Sequence, residues 1–350
     1  IHQQQRPLMQ VGYQPYNLQF RHPFRISKGV KTHQPTLIVW IEQFGLTGYG
    51  EAPAINYYNI TVEQMMADIE RKMPALQKFA FTEPDRWWHF LHHLFPANPF
   101  LVCALDIAGW DLYGKLCKQP LYKLFPQSGK QGPLCDFTIG IDSIPVMVEK
   151  MKAQPWPIYK IKLGTDEDVQ IIQELRRHTA SVFRIDANAA WTAEDALEKI
   201  NVFKDLNVEF VEQPLAKDDW EGSRWLYERS PLSIIADESC VFENDVQKCK
   251  DHFHGINIKL TKCSGITPAL RMIEAARKLH MKVMVGSMNE STIGSAAIAH
   301  LLPQIDYVDA DGPLLLQEDV ATGLDYTPDG RIITTPSAGL GVTYKGLFAK

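Results

Sequence analysis

The sequence is poor in the features that mark special classes of protein. Six cysteines occur in 350 residues (Cys103, Cys117, Cys135, Cys240, Cys249 and Cys263), and none forms a C-x-x-C pair. Neither a zinc ribbon nor a thioredoxin-like redox pair is therefore available. A chain of this length builds a core without disulfide staples, so the thiols are expected to be small buried fillers. That usage suits a reducing compartment, and the expected location is cytoplasmic; the start at Ile1 rather than Met leaves a periplasmic protein open. No apolar run approaches the ~20 residues of a membrane helix. Positive charge is not in excess: 36 Lys and Arg stand against 41 Asp and Glu, a net charge of −5, so no basic field invites nucleic acid. The nucleotide-binding patterns G-x-x-x-x-G-K-[ST] and G-x-G-x-x-G are also absent. What remains is a globular enzyme or binding protein for small molecules.

A (β/α)₈ barrel takes ~250 residues, which leaves roughly 100 over. Residues 1–60 read as strands, with the apolar run Leu37-Ile-Val-Trp-Ile41 followed by Gly45, Gly48 and Gly50 as turn punctuation. Thr61 opens a helix with Gln64 at capping-box spacing and Met65, Ile69 and Leu76 behind it. Further helices are predicted at 84–95 and from Phe100 to Cys117. Residues 1–125 thus read as an α+β capping domain.

From 126 to 320 a short apolar strand and an amphipathic helix alternate. The strands are placed at 135–140, 158–163, 182–186, 208–212, 233–237, 256–260, 282–286 and 307–311. Alternation of this kind implies right-handed βαβ units and a parallel sheet, and eight strands favour a closed TIM-like barrel. Residues 321–350 read as an irregular tail that packs back on the first domain.

The strand ends carry the chemistry. They read Lys160-Ile-Lys162, Asp186-Ala-Asn188, Glu212-Gln-Pro214, Asp237-Glu-Ser239 and Asn257-Ile-Lys259, and Lys162, Asp186, Glu212, Asp237 and Lys259 follow one another at steps of 24, 26, 25 and 22 residues. Each step is one repeat, so these residues occupy equivalent places at the carboxyl ends of neighbouring strands, where barrel active sites are built. Three carboxylates gathered there repel one another unless a cation sits among them. An all-oxygen donor set favours Mg²⁺, or Mn²⁺, over zinc. A lone acidic residue after a strand is as readily a helix cap; three in successive repeats, flanked by lysines, are not. Lys162 and Lys259 would present amines to the two faces of a bound substrate, an arrangement suited to moving a proton next to a carboxylate through a metal-stabilised enediolate. Lys160, on the same face as Lys162, supplies a positive neighbourhood that lowers the basicity of Lys162. Lys262 is the competing candidate on the sixth strand. The plainer reading of Lys160 and Lys162 is a solvated strand tip.

At this point the chain resembles the enolase superfamily, muconate-lactonizing subgroup. The segment Ala104–Lys115 with Gln119-Pro-Leu121 is similar to the helix signature of that family's capping domain, and the strand ends match in order and spacing. The resemblance implies a (β/α)7β barrel with an α+β cap, Mg²⁺ on Asp186, Glu212 and Asp237, acid/base lysines Lys162 and Lys259, and supporting roles for Asn188, Glu238 and Lys262. The eighth strand reads Val308-Asp309-Ala310-Asp311-Gly312-Pro313. Its Asp-x-Asp resembles the dipeptide epimerases, in which the pair takes the α-ammonium group. Two carboxylates at period two form an anionic slot, although a cap before Gly312-Pro313 would use the same residues.

By the same resemblance Thr138, Ser287, Met288 and Lys160 contact substrate. Lys28, or Arg25, in the lid loop Pro23–Gly29 would meet a Glu side chain; Gly29 stands where some relatives carry a basic residue, which keeps hydrophobic dipeptides open. Tyr57 and Tyr58 either line a pocket or cover core. The expected activity is epimerisation of a dipeptide such as L-Ala-Glu from murein. N-acylamino-acid racemisation, o-succinylbenzoate synthesis and a silent binding barrel stand as alternatives, and a homo-oligomer is compatible with all of them.

Overall fold

The computed structural model describes residues 7–26 and 29–347. Three long strands, β1 (Gln10–Ile26), β2 (Gly29–Gln43) and β3 (Leu46–Pro53), form an antiparallel sheet. Three helices follow: α1 (Val62–Gln77), α2 (Pro84–Leu94) and α3 (Pro99–Leu116). Alternate residues of β2 (Leu37, Val39 and Ile41) pack with Met65, Ile69, Trp87, Leu105 and Leu112 of the helices in one core. The Thr61–Gln64 capping box forms as the spacing predicts.

Gly48 and Gly50 are not turn residues. Both lie inside β3, where an added Cβ would strike the backbone of Ala108 and Ala104 in α3. They are glycine because sheet and helix touch backbone to backbone; only Gly45, at φ 74°, makes the turn.

Eight parallel strands follow in sequential order: β4 (Phe137–Ile139), β5 (Ile158–Lys162), β6 (Val182–Asp186), β7 (Val208–Glu212), β8 (Ser233–Ala236), β9 (Gly255–Lys259), β10 (Lys282–Gly286) and β11 (Tyr307–Asp309). Helices between them cover the outside, and α3 is docked on the barrel by Asp106, which accepts hydrogen bonds from Thr267 N and Oγ1. Consecutive strands are joined by ladders except at the seam. There β11 meets the first strand through one bridge, Cys135 to Val308, rather than a run of pairs.

The tail is not wholly irregular. It forms two short antiparallel pairs, 321–322 with 343–344 and 324–326 with 332–334. Tyr344 packs at a tilt against the rings of Trp40 and Tyr49 of the N-terminal sheet.

Register arranges the barrel interior in layers, because inward residues recur at period two. Phe210, Ile235, Met284 and Tyr307 fill the floor. Lys160 pairs with Thr138 and Arg184, Lys162 with Asp186, and Asp186 with Glu212, which lifts the charged residues to the carboxyl end.

Candidate active site

The carboxyl ends of the strands open into a cavity of about 140 Å³ beneath the N-terminal sheet. From the barrel it is lined by Thr138, Lys160, Lys162, Asn188, Asp237, Glu238, Lys259, Ser287, Met288, Asn289 and Asp309. Phe24, Lys31, Ile55, Tyr57 and Tyr58 close it from the other side. Most of the residues singled out by the strand-end pattern are thus brought together from separate strands.

Lys162 and Lys259 sit at the ends of β5 and β9, four strands apart in an eight-stranded barrel and so on opposite walls. Their side chains are 12% and 13% exposed, open to the cavity and nowhere near a solvated strand tip. Lys162 Nζ lies 2.5 Å from Asp186 Oδ2, and Lys259 Nζ 2.7 Å from Asp237 Oδ2. Burial works against the charge on Lys259, but Asp237 and Glu212 outweigh it and hold the ammonium above its ordinary value.

Lys262 behaves differently. It is fully buried, and its ammonium donates to Asp237 Oδ1 and to the carbonyls of Asp237, Cys240 and Asn257 at 2.7–3.2 Å. Every proton of that amine is engaged, so Lys262 braces the loops after β8 and β9, and Lys259 is the amine that reaches the cavity.

Lys160 does not supply uncompensated positive charge to its neighbour. Its ammonium lies 2.8 Å from Asp309, 3.1 Å from Glu212 and 3.4 Å from Asp186. Burial opposes its charge, and these carboxylates more than restore it. The cation that faces Lys162 is Lys31 of β2, whose own ammonium is held below its ordinary value by burial and then by the like charge of Lys162. The sequence reading missed Lys31, and no local pattern around it marks a site.

Asp186, Glu212 and Asp237 are buried at the ends of β6, β7 and just past β8. They are turned onto lysines, and among the described residues no three His, Cys, Asp or Glu side chains stand in a coordinating arrangement. The donor set nevertheless fits a hard divalent cation. Glu212 Oε2 lies 3.1 Å from Lys160 Nζ without hydrogen-bond geometry, and Glu212 Oε2, Asn188 Oδ1 and Glu238 Oε2 are buried oxygens that lack any hydrogen bond. Such orphaned acceptors beside ionised carboxylates are what a cation would satisfy. Burial, and then the charges of Asp237 and Asp186, push the Glu238 carboxyl up to about 7. Asp237 is held low by Lys259 and Lys262 despite its burial.

Two residues that sequence reasoning left without a role fix these ligand candidates. Gln213, at φ 37°, accepts from the amides of Asp237 and Ser239 and donates to Leu215 O and Ser239 Oγ, stitching the β7 end to the β8 end. Asn257 Nδ2 donates to Glu212 Oε1 at 2.7 Å. The non-glycine residues Asn188 and Ala189 also adopt positive φ here, strain of the sort found at functional sites.

Asp309 and Asp311 do not form a symmetric slot. Asp309 lines the cavity, while Asp311 lies behind it and accepts from Thr138 N at 2.7 Å. Burial dominates Asp311 and, with the charge of Asp309, lifts it to about 7; Asp309 is held down to about 2 because Lys160 foremost overcomes its burial. Arg25 is exposed and outside the cavity lining, held by its backbone carbonyl to Ile141 N. Lys28 lies outside the described residues. Tyr58 serves both expected roles, packing on Phe100 and lining the cavity.

Comparison with known proteins agrees with this geometry. Residues 146–346 match the enolase C-terminal domain-like family, and residues 11–125 match the mandelate racemase / muconate lactonizing enzyme N-terminal domain. The chain belongs to the mandelate racemase / muconate lactonizing enzyme family of the enolase superfamily. Among curated relatives, it is 50% identical over 335 residues to the L-Ala-D/L-amino acid epimerase of a Maribacter species, covering 96% of this chain and 99% of that one. Among solved structures it is similar to the substrate-liganded L-Ala-D/L-Glu epimerase of Bacillus subtilis, with a TM-score of 0.91, 28% identity, and 97% and 100% of the two chains covered. It is also similar to the Enterococcus faecalis dipeptide epimerase complexed with Mg and L-Leu-L-Tyr, with a TM-score of 0.89, 30% identity and the same coverage.

Proposed function

We propose that this protein is a divalent-cation-dependent dipeptide epimerase that inverts the α-carbon of the carboxy-terminal residue. The observation that carries the reading is a pair of amines, Lys162 and Lys259, on opposite walls of one closed cavity whose third wall holds the ionised Asp309. Asp309 takes the α-ammonium group of the dipeptide, a charge-assisted bond that fixes which carbon lies between the lysines. Asp186, Glu212 and Asp237 would hold Mg²⁺ or Mn²⁺, which when bound supplies positive charge to the substrate carboxylate as the adjacent C–H bond breaks. One lysine, in its neutral form, accepts the proton at Nζ; the other, as an ammonium, returns a proton to the opposite face of the carbon. The reverse reaction exchanges the two roles. Tyr57, Tyr58 and Phe24 roof the cavity and keep bulk water from quenching the carbanion. Lys31, in the same wall, would pair with an acidic side chain on the inverted residue, which favours dipeptides of the Ala-Glu type.

The test is incubation with L-Ala-L-Glu and a panel of other L,L-dipeptides in D₂O with Mg²⁺, following the carboxy-terminal α-proton by NMR. Exchange with inversion is expected, falling at least ~10²-fold in Lys162→Ala, in Lys259→Ala and in Asp309→Asn. No exchange with any dipeptide overturns the reading, and faster turnover of N-acylated amino acids than of dipeptides, insensitive to Asp309→Asn, replaces it with an N-acylamino-acid racemase.

A further inference from the structure

A second carboxyl lies beneath Asp309. Asp136 immediately precedes β4, at the seam of the barrel, and is fully buried. Its Oδ2 lies 3.2 Å from Arg184 NH1, and Arg184 Nε is held at 2.8 Å by Glu209. The parallel bridge Cys135–Val308 and the Asp136 N to Val308 O bond set Asp136 beside Asp309, the next residue on each strand, across the seam. Two carboxyls can share a hydrogen bond only if one of them carries a proton. Asp136 Oδ1 and Asp309 Oδ1 are both buried and lack any hydrogen-bond partner, and one proton between the two groups would satisfy both.

The charge count in the barrel agrees. Arg184, Lys160 and Lys162 contribute three positive charges along this column, against the carboxyls of Glu209, Asp136, Asp309, Asp186 and Glu212. Without Asp136 the other four carboxyls already outnumber the three cations, and ionising Asp136 as well would add a further anion at zero exposure, next to another anion. The groups that face it are Arg184 from β6, Lys160 from β5, and Asp309 and Asp311 from β11 and the turn after it. Burial and Asp309 together hold its carboxyl well above the ordinary carboxylate range.

We propose that Asp136 is a positioning residue: a neutral carboxylic acid, buried under the site, that donates its proton to Asp309 and so keeps Asp309 anionic and oriented toward the ammonium group of the substrate. The proposal rests on the dipeptide reading for the identity of that ammonium group, but the shared proton does not. Asp309 is then clamped from two sides, by Lys160 at 2.8 Å and by Asp136. Arg184, itself held by Glu209, fixes the other oxygen of Asp136, so its free oxygen has one direction to point.

Two measurements test it. In protein labelled with ¹³Cγ-aspartate, the resonance lost in Asp136→Asn is expected at the protonated-carboxyl position and unmoved from pH 5 to pH 8. A carboxylate position at pH 7 overturns the proposal, whether or not the protein turns over any dipeptide. In kinetics with a free-amine dipeptide, Asp136→Ala is expected to raise KM about tenfold with kcat changed far less, since a lost donor to a charged group acts on binding. Asp136→Asn, which keeps an N–H for Asp309 and an oxygen for Arg184, recovers most of that loss. An Asn variant as impaired as the Ala variant, or a folded Ala variant with unchanged KM, refutes the role. If wild-type protein inverts no dipeptide, the functional reading fails, while the NMR signal still decides where the proton resides.

Discussion

Lys160 and Lys162 lie two residues apart on one face of β5, and their surroundings give them opposite work. Lys160 is 3% exposed and shared among three carboxylates; Lys162 reaches the cavity with one. Three carboxylates outweigh burial and keep the charge on Lys160, whereas Lys162 faces Lys31, whose own ammonium is lowered by burial and by Lys162. On the proposed reading, substrate choice turns on Lys31. Replacing it by Met removes the only charge contributed to the cavity lining by the N-terminal sheet among the described residues. In Lys31→Met, kcat/KM for L-Ala-L-Glu is expected to fall about tenfold or more relative to L-Ala-L-Leu, since an unpaired carboxylate is costly in a closed site. A ratio unchanged by the substitution, measured in paired exchange assays, removes Lys31 from specificity.

The elements explain why much of this was legible in the sequence and part of it was not. Strand tips marked by charged residues at a regular repeat announce both the barrel and its active face, because register forces equivalent positions into one layer; Asp186, Glu212 and Asp237 follow from that alone. Lys262 could not be told from Lys259 by spacing, since the difference lies in a short helix turn after β9 that buries one amine and leaves the other open. Asp136 and Glu51 had no local signal at all. Glu51 on β3 is buried 240 residues from its partner, accepting from Ser291 N and Oγ, Gly294 N and Thr36 Oγ1 at 2.6–3.0 Å. It caps the N-terminus of the helix Thr292–Ala299 from another part of the chain, where a negative charge meets the positive end of the dipole. Glu51→Ala leaves those buried donors unpaired and is expected to cost about 3 kcal/mol in urea unfolding. A loss under ~1 kcal/mol, the scale of an ordinary surface change, would mean that water replaces the carboxylate.

On the scale of the whole molecule, His300 ties three distant segments together. Its Nδ1 accepts from Tyr122 N at 3.1 Å and its Nε2 donates to Leu340 O at 2.8 Å, so the buried ring is the neutral tautomer. Burial lowers it to about 4. A base depressed by folding contributes stability that is complete above its unfolded value of ~6.5 and is lost as pH falls toward the folded value. The contribution should shrink by about 2 kcal/mol between pH 6.5 and pH 5. It is read as the difference in unfolding free energy between wild type and His300→Gln, which isolates the ring from the buried carboxyls that titrate with the opposite sign. A difference that stays constant over that range contradicts the assignment.

The seam of the barrel has a consequence of its own. Between β4 and β11 a single bridge replaces a ladder, and further joints are made by Asp136 N on Val308 O, Thr138 N on Asp311 and Ala310 N on Cys135 Sγ. The carboxyl that rivets the seam, Asp311, thus stands directly behind Asp309, the one that would greet the amino group of a ligand. Thr138 on one lip of the gap and Asp309 on the other both line the cavity, so a ligand that touched both would favour the closed cylinder and act as a clasp as well as a reactant.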